Sequence, residues 1–508
     1  MAASDFIVRF DDFSGGDYGV IDPAKANNNT FSGQNVMLYE SGLVGVRPGF
    51  KMLPYTGLPT STVVPGPVGF DVYGENLIVV VGDSPYRIPL DGTGTAVAMG
   101  TYPDPATTFV RFTQFDNTLY SLMDGKLYKH NGDATVNISL PGGITLSTLT
   151  RWGYYLIGSQ AEIPWRLYYS KVSEAGPEPD VWDSNAYVDI GGSSTITVLT
   201  PMFNQLMVGK PDGWWSLTGV LAERPAVRGV EIGNGPLDSR FTTMTTDNRV
   251  LYWAVEALPH WFNGTGVWLD SAYRVRGYDN SFPCDSVIAT PTGRRLFMLG
   301  AANDPQTNDT LLIQDDRKWT AHSLPNKLAG LAPSDLRHGY NVPGGVVFGV
   351  IKSDNIGVPV NIVSFQHDIE RPAHTDDEWA SPTDVGATSM VSGVLLTPAW
   401  YDPQGRQVMV RNVQIQFRKW PSGIDDGLNE IHCAVRPLAR WQSGTINTEP
   451  QMWTEPSSRA DPSGTDDSWT MNFGAQGTAL GFQIELTKIR GVAIREINVG
   501  CEVVTRRG

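Results

Sequence analysis

Residues 109–129 read FVRFTQFDNTLYSLMDGKLYK. An apolar run from Phe109 to Phe115 meets Asp116 and Asn117; a second, Thr118 to Leu122, meets Asp124 and Gly125; a third, Lys126 to Lys129, returns. Strand-forming residues separated by two-residue Asp/Asn/Gly turns predict a three-stranded antiparallel meander.

The same unit recurs in both directions along the chain. Turn residues Asn76, Asn117, Gly153, Asn204, Asn248, Gly293 and Gly345 each precede an apolar strand: Leu77 to Val81, Thr118 to Leu122, Tyr154 to Ile157, Gln205 to Val208, Arg249 to Trp253, Arg294 to Leu299 and Val346 to Val350. A further strand with an aromatic usually follows, as in Tyr86 to Leu90, Trp214 to Leu217, Gly266 to Leu269 and Asn361 to Phe365. The marks lie 41, 36, 51, 44, 45 and 52 residues apart, which matches the roughly 40–50-residue blade of a propeller. A lone four-stranded blade cannot bury both faces, whereas neighbours packed around an axis cover one another. The expected fold is therefore all-β, with a roughly seven-bladed β-propeller. Neither the WD dipeptide pattern nor a repeated Asp-box marks the blades.

The ends read differently. Asn35 to Arg47, NVMLYESGLVGVR, is a hairpin, preceded by a polar segment, Pro23 to Gly33, expected as an extended arm. Arg371 to Asp384, RPAHTDDEWASPTD, suits a linker, and alternation resumes in Gln407 to Phe417, Glu430 to Val435, Leu480 to Leu486 and Ile497 to Val504. That pattern, with long loops such as Ser457 to Asp467, predicts a jelly-roll-like β-sandwich. The expected organisation is an arm and hairpin over 1–60 packing on the propeller, the propeller over 61–372, a linker over 373–384 and the sandwich over 385–508.

Composition bounds the chemistry. With 38 basic and 53 acidic side chains the net charge is −15, which disfavours a general basic surface for nucleic acid. Cys284, Cys433 and Cys501 lie far apart, without the close pairs of a zinc or dithiol site. Met1 to Phe10 lack a basic region followed by an apolar stretch, and no apolar run approaches a membrane span of roughly 20 residues; folding in a cytoplasm is expected. G-x-S-x-G, H-E-x-x-H and P-loop motifs are absent. Gly92/Gly94 and Gly233/Gly235 lack the third glycine of a dinucleotide fingerprint and read as turns. His432 and Cys433, adjacent on a strand, point to opposite faces. The Asp-rich loop Asn303 to Asp309 lacks EF-hand spacing and carries Pro305. Trp214, Trp215, Trp261 and Trp268 would suit a sugar platform, but their place in the blade pattern favours core packing. No catalytic, cofactor-binding or metal-ligating residue is assigned, and no enzyme activity is expected.

One resemblance is carried by Phe13, Ser14, Gly15, Gly16, Asn35, Gly42 and the run Arg47, Pro48, Gly49. This opening resembles that of tailed-bacteriophage tail structural proteins with propeller bodies: hub, nozzle, DNA-stabilisation and minor tail proteins. The resemblance spans about fifty residues by motif and the rest by architecture alone. It implies a virion component, assembled in the host cytoplasm, whose partners are other tail proteins. It also implies a homo-oligomeric ring around the tail axis, with DNA passing close by in the channel. The alternatives are a module recognising host cell-surface glycan and, third, a polysaccharide-degrading propeller enzyme.

Overall fold

The computed structural model describes residues 5–17, then 30–270 apart from short loop stretches (40–41, 48, 54, 62–68, 91–93, 105–108, 239–241, 245–247 and 255–257). Beyond residue 283 it describes the strands and a few turns up to 504. Among the described residues there is no α-helix, only strands and two short 3-10 turns, Pro141–Gly143 and Leu221–Glu223. Among these residues no helix is long and apolar enough to cross a membrane.

Among the described residues, seven sets of four antiparallel strands follow one another, here called sheets I to VII; six are four-stranded sheets and the sixth set, sheet VI, is one end of an eleven-stranded sheet. Sheet I comprises Gly69–Tyr73, Asn76–Val81, Ser84–Pro89 and Val97–Ala98. Sheet II comprises Arg111–Phe115, Thr118–Met123, Lys126–Asn131 and Ala134–Ile138. Sheet III has Thr150–Trp152, Tyr155–Ser159, Arg166–Ser173 and Gly176–Asp189. Sheet IV has Val198–Met202, Gln205–Lys210, Gly213–Thr218 and Ala226–Ile232. Thr242–Met244, Val250–Trp253, Pro259–Phe262 and Val267–Leu269 make sheet V. Cys284–Ala289, Arg295–Gly300, Thr310–Asp315 and Lys318–Ser323 make sheet VI.

Sheet VII takes only three strands in sequence, Ser334–Val342, Gly345–Lys352 and Asn361–Phe365. Its fourth is Phe50–Met52, from near the other end of the chain, with Phe50 opposite Phe365. In sequence, every one of the seven turn marks lies at or just before the second strand of its sheet. One strand assignment changes: Gly266 to Leu269 falls on the fourth strand of sheet V, and the third is Pro259–Phe262.

The second strands explain how the sheets pack. NLIVVV, TLYSLM and QLMVGK are buried at every position after the first, which requires apolar cover on both faces, because successive side chains point to opposite sides. In sheet I, Leu77 and Val79 face a cluster with Ile88, while Ile78 and Val80 join clusters containing Leu119 and Met123 of sheet II. Tyr120 and Leu122 of sheet II pack with Leu156 and Tyr168 of sheet III. Ile157 and Leu167 of sheet III pack with Leu206 and Val208 of sheet IV, whose Met207 turns toward Tyr252 and Phe262 of sheet V. The first strands of sheets I to IV adjoin in sequence; so do those of sheets V, VI and VII, and that of sheet VII adjoins that of sheet I.

The rest of the chain builds two sheets around a separate core. One holds Val408–Lys419, Ser468–Gln476 and Val492–Val503; the other holds Gly393–Leu396, Ile431–Leu438 and Gly481–Ile489. Ile415, Ile497, Ile484 and Val435 are fully buried between them. The expected strands of the C-terminal region are all present.

The N-terminal segment differs from expectation. Up to Val46 it joins this two-sheet core, whereas from Phe50 onward it packs on the repeated sheets as expected: Tyr55–Thr56 pairs with Gly94–Thr95, Leu53, Tyr55 and Leu58 cover the Leu77 and Val79 cluster of sheet I, and Thr60–Ser61 pairs with Val358–Pro359. Asp5–Asp11 alternates as DFIVRFD, burying Val8 and Phe10 while Arg9 reaches out to Glu496 at 2.7 Å, and it pairs along Val492–Val503. The hairpin of Val36–Tyr39 and Leu43–Val46 forms as read, and Leu43–Val46 borders the same long strand. Thr30–Gln34, expected within an extended arm, is a core strand because Phe31 is apolar enough to be fully buried. It pairs with Gly393–Leu396 on one side and, at Gln34, with Ala321 of sheet VI on the other. Sheet VI is thereby continuous with the C-terminal body. Of the expected linker, only Asp376–Glu378 is described, paired with Thr388–Met390; the remainder lies outside the described residues.

Candidate functional site

Sheets I to IV all join their first two strands by two-residue hairpins, with Tyr73 opposite Asn76, Phe115 opposite Thr118, Trp152 opposite Tyr155 and Met202 opposite Gln205. The first loop position has positive φ in each: Gly74 at 61°, Asp116 at 51°, Gly153 at 59° and Phe203 at 47°. Glycine takes this conformation without strain and Asp tolerates it; for an aromatic residue it costs about 1 kcal/mol or more. Asn204, at φ 61°, completes a turn with both central residues left-handed. A Cβ on Gly264, in the next sheet, would come within 3.1 Å of the Phe203 ring, so the bare glycine makes room for it.

The turns of sheets III and IV open onto a cleft of about 570 Å³ at the junction of sheets III, IV and V. Trp152 and Tyr154 line it from sheet III, Phe203, Asn204 and Gln205 from sheet IV, and Asn248 from sheet V. Tyr154 is 68 % exposed and Phe203 56 %. Among the described residues, none that lines the cleft is charged. Three of the seven turn marks, Gly153, Asn204 and Asn248, therefore meet at one place. Flat apolar faces flanked by amide donors and acceptors form a surface that can stack on a ligand and hydrogen-bond its rim.

A second hollow, of about 370 Å³, lies between sheets II and III. Tyr120 donates to Asp180 at 2.7 Å and Lys129 donates to the other carboxylate oxygen at 2.6 Å. Burial and the hydrogen bond to Asp180 push the Tyr120 phenol well above its ordinary range, so it stays protonated. The arrangement ties the long fourth strand of sheet III to sheet II and supplies no nucleophile.

Ser121 and His130 lie 2.8 Å apart, a spacing that suits a nucleophile and its base. Both are buried, however, and the imidazole also meets Thr135 at 3.1 Å while Ser121 meets Tyr102 at 3.0 Å. Burial lowers the His130 pKa to about 4, which leaves a weak base with no route to a substrate. The four residues form a closed polar network.

The tryptophans considered as a sugar platform divide. Trp214, Trp215 and Trp261 are buried, Trp214 stacking on Phe262 at 4.3 Å, while Trp268 is exposed on the fourth strand of sheet V. Cys433 is fully buried in the C-terminal core and His432 lies on the opposite face. The loop Asn303 to Asp309 and Gly92 lie outside the described residues. Among the described residues no group of three or more His, Cys, Asp or Glu side chains could hold a metal ion. The cleft aromatics escape a reading by motif. Their one signal in the sequence is a phenylalanine, Phe203, directly before the turn residue Asn204.

No family model matches the chain, and no curated protein matches it. Among solved structures it is similar to that of U3-55K, at 11% identity and a TM-score of 0.41, over 62% of this chain and 99% of that one. It is also similar to Hsv2p of Kluyveromyces lactis, at 9% identity and a TM-score of 0.35, over 67% of this chain and 95% of that one.

Proposed function

We infer that the seven sheets are the blades of a seven-bladed β-propeller closed by Phe50–Met52, fused to a C-terminal sandwich. We propose that the protein is a non-enzymatic structural component of a bacteriophage tail, a hub, nozzle or minor tail protein near the DNA channel or tail tip. The observation that carries this reading is the weave of the chain ends. The N-terminal segment supplies strands to the C-terminal core, a bridge from Gln34 to Ala321 of sheet VI, and the last strand of sheet VII. Backbone pairing thus crosses between the two bodies, which suits a rigid block that assembles through protein–protein contacts. Buried Arg47, in the run that carries the phage-like opening, lies 5.2 Å over the Phe50 ring at this crossing.

Two further features support assembly. Edge strands with apolar side chains are adhesive unless covered, and the fourth strands of sheets II, IV and V expose Val136, Ile232 and Leu269. In a homo-oligomeric ring with other tail proteins such faces are covered. A net charge of −15 repels phosphate, so DNA would pass the protein without adhering. Particles purified from the parent phage, digested and analysed by mass spectrometry, should contain the chain in stoichiometric amount; its absence from particles removes the proposal. A second reading, recognition of host-surface glycan, is favoured by the cleft with its exposed aromatic rings and amides.

A further inference from the structure

We propose that the cleft at the turns of sheets III, IV and V is a binding site for neutral saccharide. The inference locates and specifies the glycan reading and is independent of whether the chain belongs to a virion. Its first support is Phe203. The equivalent turn positions of sheets I to III carry Gly74, Asp116 and Gly153, residues that accept a left-handed backbone readily. Sheet IV places a phenylalanine there, and although one side of its ring sits against Gly264, more than half of it stays in water, so turn geometry does not account for it and burial does so only in part. Strain of this kind persists where the side chain's position has a use.

The second support is the chemistry of the walls. Tyr154 and Phe203 offer exposed rings from adjacent sheets, with Trp152 between them and the core. Sugar rings present C–H faces that stack on such surfaces. Asn204, Gln205 and Asn248 bring amides that can both donate to and accept from hydroxyl groups. Because no described lining residue is charged, a uronic acid, a sialic acid or a phosphate would lose hydration there without gaining a counter-charge from those residues. The volume of about 570 Å³ accommodates roughly two to three hexose units.

The test uses the full chain with cellotriose, maltotriose and tri-N-acetylchitotriose, with a galacturonic acid trimer as the charged comparison and a proline-rich peptide as the competing ligand for an aromatic groove. Saturation-transfer NMR should show contact with at least one neutral trisaccharide and not with the acidic one. Phe203→Gly and Tyr154→Ala should each weaken that binding by about tenfold or more. Phe203→Gly also relieves the left-handed turn, so its thermal midpoint should match or exceed that of the parent; a purely structural phenylalanine would show the reverse. Transfer to none of the three neutral sugars at millimolar concentration, transfer to the peptide alone, or binding unchanged in both variants would overturn the proposal.

Discussion

The ring of Phe50 packs on that of Phe365, centroids 5.1 Å apart, and the two residues face each other across the outer pair of strands in sheet VII. Their partnership brings a strand from near the start of the chain onto the last of the repeated sheets. Both rings are fully buried. Phe50→Ala should therefore lower stability by about 3–5 kcal/mol, the usual result of emptying a buried aromatic site. Phe50→Leu should recover much of that loss by refilling the space. Urea unfolding followed by circular dichroism measures both. A midpoint for the alanine variant within error of the parent would show that sheet VII does not need its N-terminal strand.

Asp270 makes a different kind of junction. Its carboxylate is buried and accepts from Trp261 at 3.0 Å, Gln314 at 2.6 Å and Trp319 at 3.3 Å, joining sheet V to sheet VI. Asp270→Ala would leave these donors buried without that acceptor, a loss of about 2–5 kcal/mol. Asp270→Asn can keep a carbonyl oxygen at the one position that all three donors reach but gives up the charge that strengthens those bonds, so it should fall between the two. Thermal unfolding of the three proteins gives the order; a stable alanine variant would mean that apolar contacts alone hold this junction.

Much of this arrangement is legible in the sequence because it is local. A two-residue turn followed by an apolar strand is decided by neighbours in the chain, and all seven turn marks lead into second strands. The partner of the first strand cannot be read this way. DFIVRFD, from Asp5 to Asp11, alternates, yet nothing nearby says that Val8 and Phe10 are covered by the sheet of Val492–Val503. The same limit applies to Phe50–Met52, whose partner lies at the far end of the repeated sheets. The cleft is hidden for another reason: its walls come from turns of three sheets, and only their spacing in the folded chain brings Tyr154, Phe203 and Asn248 together.

His130 should give the stability a pH dependence of known sign. Burial holds its pKa at about 4, against an ordinary 6.5. As pH falls below 6.5 the unfolded chain takes up a proton that the folded chain refuses until about 4. The site's contribution is therefore complete above pH 6.5 and is lost progressively down to pH 4, by about 3 kcal/mol in all. His130→Gln keeps polar atoms near Ser121 and Thr135 but cannot titrate. Urea midpoints measured between about pH 7 and pH 4 should fall less steeply for the variant; parallel slopes would show that His130 is not buried as a neutral ring.

The cysteines report on the crossing of the chain ends. Cys433 and Cys501 are both buried in the C-terminal core, and burial pushes both thiols up, Cys501 to about 12. Since the thiolate is the reactive form, iodoacetamide at about pH 8 should label neither in the folded protein and both in urea, read peptide by peptide by mass spectrometry. Cys501 lies opposite Phe6, on the strand that Asp5–Asp11 covers, whereas Cys433 pairs with Leu486 on the other sheet. Removing residues 1–11 takes Val8 and Phe10 out of the core and exposes the strand edge beside Cys501, so local opening there becomes easier. Labelling of Cys501 should accelerate more than that of Cys433. Equal acceleration would mean that the two sheets open together, and no acceleration would mean that the N-terminal strand contributes nothing to holding the long strand Val492–Val503 in place.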